Sequence, residues 1–587
     1  MKNFWKILLG SFIGCCIAIL LLIFIGVGII GSVATLSSKT EPVVPKSAIL
    51  KLDFTSPITE QSVENYAFSL YPFNAEINNS ISILDYVRAI DQAAKDPAIK
   101  FIFMTPENLK MGIAQAEEIR AALKRFRDSG KAIISYANTY SNGSYYLASV
   151  ADKVIFNSYG DAYISGLSTN LLFFKDLLDK LGIDMQLIRH GKYKSAAEQY
   201  IKNDISAENR EQNQVMLNTI WDSWAEDIAI SRGLSTKDIN KWIDNLELLN
   251  AKSLLDRKLI DTACYQDEVD DYLCTLFDVK KAKDLVFVSI DKYAKVKVKN
   301  NVRTKNKIAV IYANGEIVLD GSDDNVSGLK LSRILEKVRK DSTIKAVVFR
   351  VNSPGGSAQA AEMINRELGL LKDVKPVIAS YGNYAASGGY WISARADKIF
   401  TDKTTLTGSI GVFSLIPSIG RALDKNLDIK NVSISSNKHG DALIGMRILD
   451  SEEQSYMQGM VDKVYTDFTE LVAEGRDMTT TQVDNIGQGR VWAGRDALEI
   501  GLVDSIGGLI DAINYTAAAV DLESYQLVEY PVLKTSYEKL MESLTKTSAT
   551  IEALNNPMIL FRKAYSSLKE ETRITFYARM PYIYNIQ

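Results

Sequence analysis

Tyr136 to Phe156 reads YANTYSNGSYYLASVADKVIF, and Tyr381 to Phe400 reads YGNYAASGGYWISARADKIF. From Tyr136/Tyr381 to Lys153/Lys398 the two align without a gap, at an offset of 245 residues. The same offset pairs KDPAIKFIF at Lys95 with KDSTIKAVV at Lys340. In the later copy KAVVFRVN, PVIASYGN and DKIFTD read as strands, while SAQAAEMINRELGLL and SGGYWISARA read as helices. Strands and helices that alternate in this way predict an α/β fold around a buried, largely parallel sheet. The offset predicts that the chain contains this domain twice. Each copy also predicts a long amphipathic helix, Ala207 to Arg232 and Ser451 to Arg476.

Working outward, the chain of 587 residues divides into 1–36, a cytoplasmic tip and membrane anchor; 47–290, the first copy; 306–520, the second copy; and 521–587, a C-terminal extension. A Lys-rich stretch from Lys292 to Lys307 separates the copies as a linker, although its alternating valines also suit a strand. Ile7 to Ile30 is an apolar run with Ser11 as its most polar side chain. As a helix it spans roughly 36 Å, more than the roughly 30 Å hydrocarbon core of a bilayer. Lys2 and Lys6 precede it, which places the N-terminus in the cytoplasm and the rest of the chain outside. The run is too long for the apolar core of a typical cleaved signal peptide, and no strong small-x-small site follows it, so an uncleaved anchor in contact with lipid is expected.

A formal net charge of -3 gives no electrostatic case for nucleic acid. The chain has 2 histidines and 4 cysteines. His190, His439, Cys264 and Cys274 show no zinc-ligand spacing, so neither metal nor cofactor is expected. Cys264 and Cys274 are either a disulfide or two buried thiols.

Asn352-Ser353-Pro354-Gly355-Gly356 follows a hydrophobic strand and precedes a helix. Consecutive glycines there turn backbone amides into a cavity, and the helix N-terminus adds positive potential. Such a turn can hold a phosphate or a tetrahedral oxyanion, or it can be a tight strand-to-helix connection and nothing more. The nucleotide-binding patterns G-x-x-x-x-G-K-[ST] and G-x-G-x-x-G do not fit it. Ser387, followed by Gly388 and Gly389, opens the next helix; it is either an exposed nucleophile or a small residue packed at a helix start. The first copy has Asn142 at that position and Asn108-Leu109-Lys110-Met111 in place of the glycine turn. A Ser-His-Asp triad is disfavoured, because AASGG only half matches the G-x-S-x-G elbow and His439 is the only histidine after the serine. A serine without histidine needs another base, and a lysine serves when burial keeps it neutral. Most lysines are surface charges. Lys194, in Gly191-Lys192-Tyr193-Lys194-Ser195-Ala196, stands out by context, and its counterpart in the second copy is His439.

The combination of NSPGG, ASGGYWIS, TGSIGV at Thr407 to Val412, and GRVWAGRDALEIGLVDSIGG at Gly489 to Gly508 resembles the signal peptide peptidase A (protease IV) family. With GKYKSA in the first half, it resembles the long, two-repeat form. The resemblance covers nearly the whole chain and implies two ClpP/crotonase-type spiral domains behind one transmembrane helix. It implies a Ser/Lys-dyad serine endopeptidase with Ser387 as nucleophile and Lys194 as general base. An oxyanion hole near Gly355, Gly356 and Gly388 is implied too, with Ser409 hydrogen-bonding the lysine. Implied substrates are remnant signal peptides and other unfolded or hydrophobic peptides. The implied assembly is a homo-oligomer, a tetramer, on the periplasmic side of a bacterial inner membrane. Two rival readings are a catalytically inactive membrane scaffold and a crotonase-type acyl-CoA enzyme. The scaffold reading would suit a chain lacking Ser387 or Lys194; the acyl-CoA enzyme would use the glycine amides without needing Ser387.

Overall fold

The computed structural model describes residues 43–62, 64–68, 75–298, 304–321, 324–533 and 576–580, together with Gly10, residues 13–15 and Ile17. In the first half the strands that position the site are β1 (Ala48–Leu52), β2 (Ile99–Met104), β3 (Ile133–Ser141), β4 (Lys153–Tyr163), β5 (Asp184–His190), β6 (Thr262–Cys264) and β7 (Phe287–Ser289), beside four short strands between Ile58 and Ser82. Helix α1 (Ile113–Asp128) follows β2, α2 (Asn142–Ala148) follows β3, and α3 is Ala207–Arg232. Six of these strands form one sheet in the order β6-β4-β3-β2-β1-β7, parallel throughout.

The second half has β8 (Lys307–Asn314), β9 (Ile344–Ser353), β10 (Gly355–Ser357), β11 (Val377–Ala386), β12 (Lys398–Thr401), β13 (Leu406–Gly408), β14 (Val412–Ser418), β15 (Val491–Ala493), β16 (Ser505–Ile506) and β17 (Gln526–Tyr530). Its helices include α4 (Ala358–Lys372), α5 (Gly388–Trp391) and α6 (Ser451–Arg476), and a last strand, β18, is Tyr577–Arg579. The order β16-β12-β11-β9-β8-β17 repeats that of the first sheet, again all parallel. Even a register shift recurs: Thr139 pairs with Asp161 as Tyr384 pairs with Leu406, 245 residues on. The expected duplication of an α/β unit is therefore present in the strand order itself. Val347, Phe349 and Val351 on one face of β9, and Val348 on the other, are all fully buried, as a strand covered on both sides requires. Each such side chain contributes about 1.5–3 kcal/mol by leaving water.

Both long helices have the bounds the sequence predicts, and their ends explain why. Ser206 caps α3 by accepting from the Asn209 amide, and Gly233 ends it in a left-handed conformation. Asp450 and Glu453 cap α6 reciprocally. Helix α3 packs against the other half: Gln212 accepts from the Val491 amide (3.2 Å) and Thr219 donates to Asp496 (2.9 Å).

Several readings need correction or refinement. The helix after Ser387 is a single short turn, Gly388–Trp391, because the chain must bend back at once toward β12. The glycines of the NSPGG turn lie in a strand, β10, before the helix begins. The Lys-rich stretch begins as a helix, Ile290–Lys297. Strand β17, from the segment assigned to the C-terminal extension, pairs with β8 at the edge of the second sheet. Cys264 and Cys274 are free thiols. The apolar stretch 7–30 lies outside the described residues except at five positions, and among the described residues no helix is long and apolar enough to cross a membrane.

The halves are joined by a third sheet. Strand β5 of the first half runs antiparallel to β14 of the second, from His190 opposite Val412 to Asp184 opposite Ser418. The second half has no strand equivalent to β5 among residues 429–435. This break in the symmetry carries the segment after β5 into the second half.

Candidate active site

Strand β5 ends at His190, and the chain turns at Gly191 with φ +110°. A Cβ there would lie 2.5 Å from the Gln488 carbonyl carbon, so only glycine fits. The Tyr193 amide then donates to Gln488 O (2.9 Å), anchoring the loop to the second half. From the other side α3 holds it: Gln212 donates to Tyr193 O (3.0 Å) and to Ser195 Oγ (2.9 Å). Gly489 lies so close that a Cβ on it would be 2.6 Å from the Lys194 Cβ. The result is a lysine side chain with no exposed surface.

Lys194 Nζ lies 2.7 Å from Ser387 Oγ, 3.0 Å from Ser409 O and 3.1 Å from Ser409 Oγ. Burial pushes its pKa well below the usual lysine range, and burial is the only cause. As an ammonium, Nζ donates to all three oxygens. Deprotonated, its two N–H groups serve Ser409, and its lone pair faces the Ser387 hydroxyl.

Ser387 is fully buried at the corner between β11 and α5, with φ +56° and ψ -115°. A serine rarely adopts that conformation, which costs of order 1–3 kcal/mol. The strain is held by the Ser387 amide, which donates to Gly408 O (2.7 Å), and by Trp391, whose amide donates to Ser387 O (2.8 Å). Ser409 also has positive φ (+50°), fixed by its amide donating to Arg490 O (2.7 Å). Gly355 has φ +97°, and a Cβ on it would meet Gly388 N at 2.7 Å. A Cβ on Gly388 would in turn lie 3.2 Å from Gly356 N. The amides of Gly356 and Gly388 thus converge beside Ser387 and are suited to an oxyanion.

All six residues singled out in the sequence meet at this one place, within a single chain. The sequence did not point to Gln212, or to the close approach of Gly489 and Gly411 to the Lys194 stem. Gly489 and Gly411 belong to quoted motifs, but only the packing shows that they shape the lysine's slot. The first copy uses its equivalent position differently. The Asn142 amide donates to Gly166 O (2.9 Å) and accepts from the Ser165 and Gly166 amides (3.0 and 3.1 Å), tying down a loop. Neither histidine is directed at the serine: His190 Nδ1 lies 2.7 Å from Asp462, and His439 Nδ1 lies 2.9 Å from Glu453.

The family model described as "Peptidase family S49" matches residues 125–280 and 369–523, once in each half. The chain is 36% identical to "Protease 4" of Haemophilus influenzae over 459 residues, covering 76% of this chain and 74% of that protein. It is 34% identical to "Protease 4" of Salmonella typhi over 541 residues, covering 89% and 86%. It is 32% identical to "Serine protease SPPA, chloroplastic" of Arabidopsis thaliana over 479 residues, covering 80% and 69%.

Proposed function

Since the chain belongs to peptidase family S49 and is a serine peptidase, we propose that it is a membrane-anchored endopeptidase working through a Ser387/Lys194 dyad. The observation that carries this reading is the 2.7 Å contact between Ser387 Oγ and a fully buried Lys194 Nζ. Ser387 attacks the peptide carbonyl as neutral Lys194 takes its proton. The amides of Gly356 and Gly388 hold the oxyanion, and Lys194 returns the proton to the departing amine. Water then cleaves the acyl-enzyme, with Lys194 again as the base. Ser409 is a positioning residue that fixes the lysine's direction. An inactive scaffold or an acyl-CoA enzyme would leave this strained, buried pair without a use. For substrates we propose remnant signal peptides and other unfolded or hydrophobic peptides. The apolar run Ile7 to Ile30 supports a lipid anchor with the catalytic part on the periplasmic side. A tetramer is proposed from the family resemblance.

A serine-reactive fluorophosphonate tests the reading: it should label Ser387 in the native chain and not in Ser387→Ala. Absence of labelling in an otherwise folded native chain counts against the dyad.

The pH profile tests the base. Because burial disfavours the ammonium, the reactive neutral amine is lost as pH falls through the lowered Lys194 pKa, and kcat/KM should rise with pH through that value. His190→Gln and His439→Gln should keep this rising limb. Loss of the limb in either variant would return a histidine to the mechanism.

A further inference from the structure

Arg490, in the GRVWAG stretch, follows Gly489 and directly precedes β15. Its carbonyl accepts from the Ser409 amide (2.7 Å), the bond that fixes Ser409 at positive φ. Its amide donates to Gly487 O (2.9 Å) and closes the turn through Gln488 and Gly489. The same turn presents Gln488 O to the Tyr193 amide (2.9 Å), and its Gly489 amide donates to Ile410 O (2.6 Å). One turn thus holds the Lys194 loop on one side and the Ser409 loop on the other.

The Arg490 side chain reaches across to the first half. Its guanidinium carbon lies 4.4 Å from the centre of the Trp492 ring and 5.0 Å from that of Tyr193. A planar, weakly hydrated guanidinium suits such a stack better than an ammonium does. Nη1 donates to Glu211 Oε1 on α3 (3.1 Å) and to the Tyr193 hydroxyl (3.4 Å), which itself donates to Glu211 (3.3 Å). The indole N–H of Trp492 donates to Ile486 O (2.9 Å), and its ring closes on Gly408, where a Cβ would come within 2.9 Å of it. Gly408 is the residue whose carbonyl receives the Ser387 amide. Exposure rises outward along this row, from none at Lys194 through 8% at Tyr193 and 17% at the Arg490 side chain to 52% at that of Glu211. The stack is therefore the outer wall of the lysine's slot.

The other charged groups around the Lys194 loop are engaged elsewhere. Arg189 pairs with Glu198 (3.3 Å) and donates to Lys194 O (3.0 Å), His190 lies on Asp462 (2.7 Å), and Lys192 lies over the Tyr193 ring (5.1 Å). On the second half Asp484 accepts from the Tyr465 hydroxyl (2.6 Å) and from Gln488. None of these charges contributes to the low pKa of Lys194, which comes from burial alone. The amine is kept neutral by the exclusion of water, and the stack bounds its slot on the solvent side.

We propose that Arg490 is a positioning residue for the dyad: its side chain, stacked between Tyr193 and Trp492, holds the 487–490 turn against the Lys194 loop and seals the lysine's slot from water. This rests on the reading of Lys194 as the general base.

Arg490→Met keeps the stem and removes the plane and its hydrogen bonds. Water admitted beside Nζ stabilises the ammonium, so the Lys194 pKa rises, less of the amine is neutral at a given pH, and the rising limb of kcat/KM moves to higher pH. At neutral pH kcat for a fluorogenic peptide should fall about tenfold with KM unchanged, the change in neutral amine for a limb displaced by about one pH unit. Above both limbs the rate should return to the native value. Trp492→Phe, which keeps a ring beside the guanidinium, should retain the native limb. Should Arg490→Met fail to fold, Trp492→Leu, which takes the ring out of the stack, carries the same expectation. A folded variant with the limb in its native place overturns the proposal, whether its rate is unchanged or lowered equally at every pH. A residue that served stability alone would lower the unfolding midpoint and leave the limb unmoved. If the native chain shows neither a rising limb nor fluorophosphonate labelling of Ser387, the assignment of Lys194 has failed, and this inference with it.

Discussion

Replacing Ser387 by Ala, or Lys194 by Met, should each lower peptidase kcat by about 10⁴-fold or more, and the double variant should be no worse than either alone. The two act as one unit, since an alkoxide cannot form without an acceptor and the acceptor has no other proton to take. Lys194→Arg separates a base from a mere positive charge. A guanidinium stays protonated in proteins, so a residue needed for its charge would tolerate the change and a residue needed for its lone pair would not. Lys194→Met keeps the length of the stem in its slot beside Gly411 and Gly489. It leaves Ser409 O without one donor and removes a desolvated amine, so the unfolding free energy should stay within about 2 kcal/mol of the native chain's. Steady-state kinetics with thermal unfolding as control reads both quantities. Substantial turnover in Lys194→Met or Lys194→Arg would sink the assignment of the base.

Much of this site could be read from the sequence, for a physical reason. A duplicated chain carries its own comparison: Asn142 stands where the second copy has Ser387, whereas Lys194 stands out by its context and its role is implied by the family resemblance. The likeness of the two halves was legible for the same reason, because alternating buried runs at a fixed offset leave little freedom for two different topologies; the strand order itself was not. What could not be read depends on contacts distant in the chain. The strained φ of Ser387 and Ser409 is imposed by carbonyls of Gly408 and Arg490. The depth of Lys194 depends on Gln488 and Gly489, nearly 300 residues away in sequence. Strand β18, Tyr577–Arg579, could not be read either, since a strand of three residues has no pattern until its partners are known. SGGYWISARA, with two glycines and two serines, carries little helix propensity, and only Gly388–Trp391 is helical before the chain turns to β12.

Arg350→Met should be the most damaging substitution away from the dyad. Arg350 lies on β9, fully buried, two residues before Asn352 and the glycine turn. Its Nε donates to Glu60 Oε2 (2.7 Å) and its Nη2 to Glu118 Oε1 (2.6 Å), both carboxylates also buried and both from the first half. Nη1 donates to Ser380 Oγ (3.0 Å) and Tyr381 O (2.8 Å) on β11, the strand that ends at Ser387. The acceptors are further satisfied by Gln115, which donates to Glu60 (3.0 Å), and by the Leu509 amide, which donates to Glu118 (2.8 Å). One guanidinium thus connects the half that carries Lys194 to the strand that carries Ser387. An exposed ion pair would be worth little, but removing one partner of a buried one leaves charge stranded out of water and costs about 3–5 kcal/mol. The expected result is a large fall in the unfolding midpoint, with the halves losing their common transition and kcat falling as the 2.7 Å contact loosens. Adding Glu60→Gln and Glu118→Gln to Arg350→Met should recover part of the stability, because the stranded charges are gone. Denaturant unfolding followed by tryptophan fluorescence, with peptidase activity alongside, reads these effects. A midpoint for Arg350→Met equal to the native chain's would mean that apolar contacts alone hold the halves together.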